Sequence, residues 1–228
     1  MKKSPPTWLK EIKLIAWDLD GTLYPPMPEI TEEIDAARAV AIAKHLGVTE
    51  TEAKAKFQPL YDRLHSTTRV FNELGMEGEQ FFIDFWASFD LSQYIKPDPQ
   101  LKKMFAVVRM AGRQHALLTN ANTSQSVQSK LTAIGLTPDD FSAIFASGLT
   151  GIHKPTPAAF AQLWEQTEFA KEQIVYLGDK ENTDIIPAKK LGLKTMLMDW
   201  SNQASVTSAD GVVSSPREFL GLLASGFD

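Results

Sequence analysis

Asp18 and Asp20 stand one residue apart directly behind the apolar run Leu14–Trp17, and Gly21-Thr22 follows them as a turn. Carboxylates at alternate positions after a strand project to the same side. Three further polar groups recur in comparable places. Thr119-Asn120 follows the run 116–118, Lys154-Pro155 leads into a helical pattern, and Asp179 with Asp184 follows 174–177. Each has a bland reading alone, as a helix cap, a solvated loop or an Asx turn. In this order, at one pole of one sheet, they point to a shared site.

The chemistry follows from the residue types. Asp18, Asp20, Asp179 and Asp184 repel one another unless a cation sits among them or a proton is taken up. Hard oxygen ligands favour Mg²⁺, which binds through a few carboxylates and a phosphate. Thr119, backbone N–H groups and the Lys154 ammonium can balance the charge of a phosphoryl group. A carboxylate held in line with phosphorus can attack it and form an aspartyl-phosphate. A second carboxylate can protonate the leaving oxygen and later deprotonate water. That role calls for a raised pKa, which crowding by other carboxylates is expected to supply to Asp20.

The elements that must position these residues alternate. Apolar runs at Leu14–Trp17, 116–118, 144–146, 174–177, 195–198 and, weakly, 212–213 alternate with helical patterns near 98–111, 123–134, 156–166, 184–191 and 216–225. This rhythm predicts an α/β fold, a mainly parallel, doubly wound sheet with helices on both faces and ligands at the strand carboxyl ends. Residues 24–96 break it. They hold helical patterns only: one starting near Thr31 with Ile30, Ile34, Ala37 and Ala41 on a face and stopping at Gly47, a second over 50–65, and an aromatic third through Phe81, Phe82, Phe85, Trp86 and Phe89. Prolines flank the segment, which reads as an inserted helical domain with the aromatic stripe as its own core.

The 228 residues suit one large domain or a core with an insert, and 43% hydrophobic against 22% charged residues is ordinary for a globular protein. The net charge of −5 gives no footprint for nucleic acid. Having no cysteine excludes disulfides and thiol nucleophiles, and no apolar run reaches the ~20 residues of a membrane span. The expectation is a cytoplasmic protein acting on a small phosphorylated molecule, with neither nucleic acid nor membrane as partner.

The four motifs resemble the phosphatase branch of the haloacid dehalogenase superfamily, whose first motif reads DxD followed by Gly/Asn-Thr. The resemblance implies a Rossmann-like core at 1–22 and 97–228 and a helical cap at 23–96. It implies Asp18 as nucleophile and Mg²⁺ ligand, and Asp20 as general acid/base and backbone ligand. Thr119, Asn120 and Lys154 are implied as the phosphate-binding residues. Asp179 is implied as a direct metal ligand, Asp184 as the holder of a metal-bound water, and Tyr24 as the opening of a flap between core and cap. Within the superfamily, Asp18 to Pro25, Tyr94 to Asp98 and Thr67-Thr68-Arg69 are similar to the pyrimidine 5′-nucleotidase group, although that group carries Asn in place of Gly21. A nucleoside 5′-monophosphate and a phosphoglycolate-type acid are both admitted as substrates, and so is a phosphomutase fate for the phosphoryl group. A dehalogenase is disfavoured because Asp20 is present, and a non-catalytic role because no motif residue is missing. His65, Thr67, Thr68 and Arg69 are cap candidates for the leaving group. His45 and His115 read as structural, and Met196 and Met198 as core.

Overall fold

The computed structural model describes residues 6–64, 66–121, 123–203 and 206–224. Its strands are β1 Leu14–Trp17, β2 Gln114–Thr119, β3 Ala143–Ala146, β4 Ile174–Gly178, β5 Lys194–Met198 and β6 Gly211–Val213. They form one sheet in the order β3-β2-β1-β4-β5-β6, with every neighbouring pair parallel. The helices are α1 Pro28–Leu46, α2 Glu50–Leu64, α3 Thr67–Glu73, α4 Gly78–Ser88, α5 Pro99–Met110, α6 Ser124–Ala133, α7 Ser147–Thr150, α8 Pro157–Glu165, α9 Ile186–Leu191 and α10 Pro216–Ala224. No helix among the described residues is long and apolar enough to cross a membrane.

Alternation along the strands supplies two apolar faces. Ile15, Trp17, Leu117, Val175, Leu177, Met196 and Met198 pack with Phe105, Leu131 and Phe219, which come from α5, α6 and α10. The intervening Leu14, Ala16, Ala116, Leu118, Ile174 and Tyr176 pack with Phe160 and Leu163 of α8 and Ala188 of α9. A fully buried side chain of this size contributes roughly 1.5–3 kcal/mol, so the two layers fix the sheet between them. The expected α/β fold, covered on both faces, is the observed one. From β1 the chain builds β2 and β3 to one side, then crosses back to build β4, β5 and β6 on the other. The reversal lies between β1 and β4, where such sheets leave a crevice at their carboxyl ends.

Between β1 and α5 the chain forms α1 to α4 and short turns. Helix α1 starts at Pro28, whose ring suits a first helical position, rather than at Thr31. It ends at Gly47, in the left-handed conformation at φ 66°. Its buried side chains also differ from expectation. Ala39 and Ile42 are buried, Ile42 against Phe57, Val70 and Phe71, while Ile34, Ala37 and Ala41 are only partly covered. Helix α3 is a further element, capped by Ser66, whose hydroxyl accepts from the Arg69 N–H at 3.4 Å. Gly78 opens α4 because a Cβ there would lie 2.5 Å from the Thr68 carbonyl oxygen.

The aromatic stripe on α4 is not the insert's private core. Phe82 and Trp86 are buried in the same cluster as Val127 and Leu131 of α6, while Phe81 also packs against the small cluster around Phe71. The stripe therefore clamps the helical segment to the α/β layer. The helix expected over 184–191 divides into a π-turn, Glu181–Ile185, and α9.

Candidate active site

Strand register brings the polar groups together. Trp17 is level with Leu117 and with Leu177, so Asp18 emerges level with Leu118 and Gly178, one residue before Thr119 on one side and Asp179 on the other. The Asp18 N–H donates to the Leu177 carbonyl at 2.8 Å. Two glycines make the convergence possible. A Cβ at Gly178 would lie 2.3 Å from the Asp184 Cβ, and one at Gly21 would lie 2.5 Å from Asp179 Oδ2. Gly21 also has φ 81°, which a side chain rarely adopts.

The inner part of the site is a buried charge network. Lys154 Nζ lies 2.8 Å from Asp18 Oδ1 and 2.6 Å from Asp184 Oδ1. It also donates to the Tyr176 hydroxyl at 2.9 Å, and that hydroxyl donates to Asp184 Oδ1 at 3.0 Å. Asn120 clamps the Lys154 backbone, accepting from its N–H at 2.8 Å and donating to its carbonyl at 3.0 Å. The Thr119 hydroxyl accepts from the Ala121 N–H at 3.2 Å, which leaves its own O–H free to donate. Burial, helped by Asp184 and Asp20 and opposed by Lys154, pushes Asp18 up to about 7. Burial alone would lower Lys154, yet Asp18 and Asp184 raise it. Burial also raises Asp179, and Asp184 adds to the effect.

One oxygen each from Asp18, Asp179 and Asp184 can lie within 4.8 Å of the others. Asp179 Oδ1 is buried without a hydrogen-bond partner; the Lys154 ammonium pairs with Asp18 and Asp184, and the largely exposed Lys180 ammonium lies 3.9 Å from Asp179 Oδ2. An all-oxygen set with charge in excess and an orphaned ligand atom fits a hard divalent cation such as Mg²⁺.

Asp20 lies at the mouth and behaves differently. Its carboxylate is partly exposed and sits 2.7 Å and 2.9 Å, by its two oxygens, from Lys130 Nζ; the Tyr24 hydroxyl also donates to it. Burial would raise its pKa, but Lys130 and Tyr24 outweigh this and hold it below the usual carboxylate range. This corrects the expectation of a raised pKa, because the nearest charge is a lysine from α6 and not another carboxylate. Lys130 is itself 7% exposed, with its ammonium 4.7 Å from the centre of the Trp86 ring. Asp20 and Asp179 open into a cavity of about 620 Å³ whose walls include Met27, Ile34, Trp86, Lys130 and Lys180.

The four motifs thus converge, and Tyr24 is buried in the turn that follows Asp20. Thr67, Thr68 and Arg69 do not line this cavity; they open α3. Arg69 is exposed, and its charge adds to burial in lowering His153, the neighbour of Lys154. His65 lies outside the described residues. The ring of His45 lies 3.0 Å from the Leu74 carbonyl. His115 is fully buried and accepts from the Trp17 indole at 3.1 Å, so its structural reading stands. Sequence reasoning missed Lys130, Tyr176 and Trp86. A signal existed for the first: Lys130 occupies an apolar-stripe position with Val127, Leu131 and Ile134, where a lysine calls for a buried partner.

The family model of the haloacid dehalogenase-like hydrolases matches residues 12–192. A phosphoglycolate phosphatase of Vibrio vulnificus is 30% identical over 195 residues, covering 80% of this chain and 82% of its own. Among solved structures, a HAD phosphatase from Thermococcus onnurineus superposes with a TM-score of 0.71 at 20% identity, over 93% of this chain and 98% of its own. A 2-haloacid dehalogenase from Pseudomonas syringae pv. Tomato gives a TM-score of 0.69 at 20% identity, over 94% and 99%. Two such neighbours with different names show a shared fold and leave the reaction to the site. Taken with the converging motifs, the match over most of its length means that the chain belongs to the haloacid dehalogenase-like hydrolase family, in its phosphatase branch.

Proposed function

We propose that this protein is a Mg²⁺-dependent phosphomonoesterase that forms an aspartyl-phosphate on Asp18 and acts on a small phosphorylated acid of the phosphoglycolate type. The observation that carries the reading is the Asp18–Asp179–Asp184 cluster, with its unpartnered Asp179 oxygen beside the buried Lys154. Asp18, Asp179 and Asp184 would hold the ion, with the Asp20 carbonyl as a further ligand. A bound Mg²⁺ would supply positive charge against the phosphoryl oxygens, so that a carboxylate could approach an anion.

Asp18 Oδ attacks phosphorus, and the ester bond to the leaving oxygen breaks. Lys154 and the Thr119 hydroxyl hold the non-bridging oxygens; the Asn120 side chain, occupied by the Lys154 backbone, acts by placing that lysine. Asp20 gives a proton to the leaving oxygen, then takes one from the water that hydrolyses the acyl phosphate. Protonation of Asp20 requires that its contact with Lys130 and Tyr24 loosen when substrate enters. Residues 23–96 act as the cap over a core of 1–22 and 97–228, a division supported by Met27, Ile34 and Trp86 facing the cavity that holds Asp20. The phosphoglycolate phosphatases among the relatives support the substrate class.

Phosphate release should be measured on phosphoglycolate, nucleoside 5′-monophosphates and sugar phosphates, with Mg²⁺ and with chelator. Turnover of phosphoglycolate that needs Mg²⁺ and disappears in Asp18→Asn is expected. Activity surviving in that variant, or persisting after chelation, overturns the mechanism. A preference for nucleotides overturns the substrate class alone.

A further inference from the structure

We infer that Lys130 is the specificity-determining residue of this site, recognising a carboxylate on the leaving group of the phosphomonoester. The inference rests on the phosphatase reading above. Asp20 works at the leaving oxygen, and Lys130 Nζ lies within 2.9 Å of both Asp20 oxygens, so it borders whatever carbon carries that oxygen. An ammonium has three donors; Asp20 engages two in the free protein, and the loosening of that contact when substrate enters frees donors for a bound anion.

Three further observations favour a binding role over that of a simple counter-ion. Asp20 is partly exposed, its side chain 45% accessible, and water could solvate it without help, yet a lysine is buried on an apolar helix stripe to reach it. The Trp86 ring, from α4 across the cavity, holds the ammonium at 4.7 Å and fixes an otherwise flexible side chain. The neighbouring wall is apolar, made by Met27, Ile30 and Ile34, and the other cation lining the cavity, Lys180, is largely exposed. A carboxylate entering such a pocket pairs with a fixed, desolvated ammonium, whereas a hydroxyl in its place forfeits a charge-assisted bond. The same ammonium screens the incoming carboxylate from Asp20, which would otherwise repel it.

The test compares 2-phosphoglycolate with 2-hydroxyethyl phosphate, in which a neutral CH₂OH replaces the carboxylate, using wild type, Lys130→Met and Lys130→Arg. Wild type should favour phosphoglycolate. Lys130→Met should lose roughly 10–100-fold of that preference, chiefly through KM, the scale of one hydrogen bond to a charged group. Lys130→Arg should restore most of it. An equal fall on both substrates, or no preference in wild type, overturns the inference and reduces Lys130 to positioning Asp20. Calorimetric binding of phosphoglycolate with Mg²⁺ to Asp18→Asn, with and without Lys130→Met, reads the same contact without turnover. Unchanged affinity there also overturns it. Wild type inactive on every monoester would instead condemn the phosphatase reading.

Discussion

Asp18 and Asp20 are separated by the single residue Leu19, yet the interior of the site and its mouth treat a carboxylate in opposite ways. Around Asp18 the sheet crevice excludes water, Asp184 adds like charge, and one ammonium serves several acids, so the pKa climbs to about 7. Around Asp20 the side chain reaches solvent, has Lys130 to itself, and takes a phenol hydrogen bond, so its pKa falls. A buried carboxylate that shares its one ammonium with a second acid is poised to accept a cation or an electrophile, whereas a saturated one must be released before it can handle protons. One strand end thus gives two aspartates opposite surroundings because its neighbours come from different layers: β3–α8 and β4–α9 connections inside, α6 and α4 at the mouth.

That contrast can be attacked at its strongest point. Asp18→Asn should abolish phosphate release by at least ~10⁴-fold, the scale of losing a nucleophile, while circular dichroism shows the fold retained. Asp20→Asn should cost ~10²–10⁴-fold on alkyl phosphates. The loss should be smaller on p-nitrophenyl phosphate, whose leaving group departs without a proton, and steady-state rates on both compounds check this. Equal losses on both would remove Asp20 from the leaving-group step.

Stability separates the two neighbourhoods next. Lys154→Met strands buried carboxylates and should lower unfolding free energy by about 3–5 kcal/mol in chelator. Lys130→Met, opening a partly exposed pair, should cost less than about 1 kcal/mol. Urea titrations of both variants decide the point, and similar losses would erase the distinction.

A further effect is expected in the pH dependence of the metal-free protein. Asp18 has a folded pKa above its ordinary 3.8, so the folded state holds its proton more tightly. Its contribution is complete below about pH 4 and is lost as the pH rises through about 7. Asp20, lowered, contributes in the opposite sense: present above its ordinary value and lost as the pH falls below it. Melting curves of wild type minus Asp18→Asn should slope down with pH, and those of wild type minus Asp20→Asn should slope up from the acid side.

Much of this arrangement was legible in the chain. The strand-end positions of Asp18, Thr119 and Asp179 could be read because an apolar run followed by a polar residue is a local signal. The helix limits were close for the same reason, except where Pro28 displaced a Thr31 start and where a π-turn replaced regular helix at Glu181–Ile185. The aromatic stripe was seen but misassigned, since spacing says that a face is buried and not what buries it. The choice of Thr67 to Arg69 was drawn from a resemblance alone, and the chain places them at a helix start that does not line the cavity around Asp20.

Residue order by itself determined the parallel sheet, the pole at which ligands gather, and the acids and lysine that gather there, since each follows from neighbours a few positions away. Which charges pair was decided only in three dimensions. Lys130 meets Asp20 across 110 positions of chain, Tyr176 joins Asp184 by facing out of the sheet's other side, and Trp86 arrives with a helix docked from the insert. Those meetings depend on strand register and layer packing, and they set the pKa of each aspartate, because electrostatic energy depends on separation in space and on the water excluded between the groups.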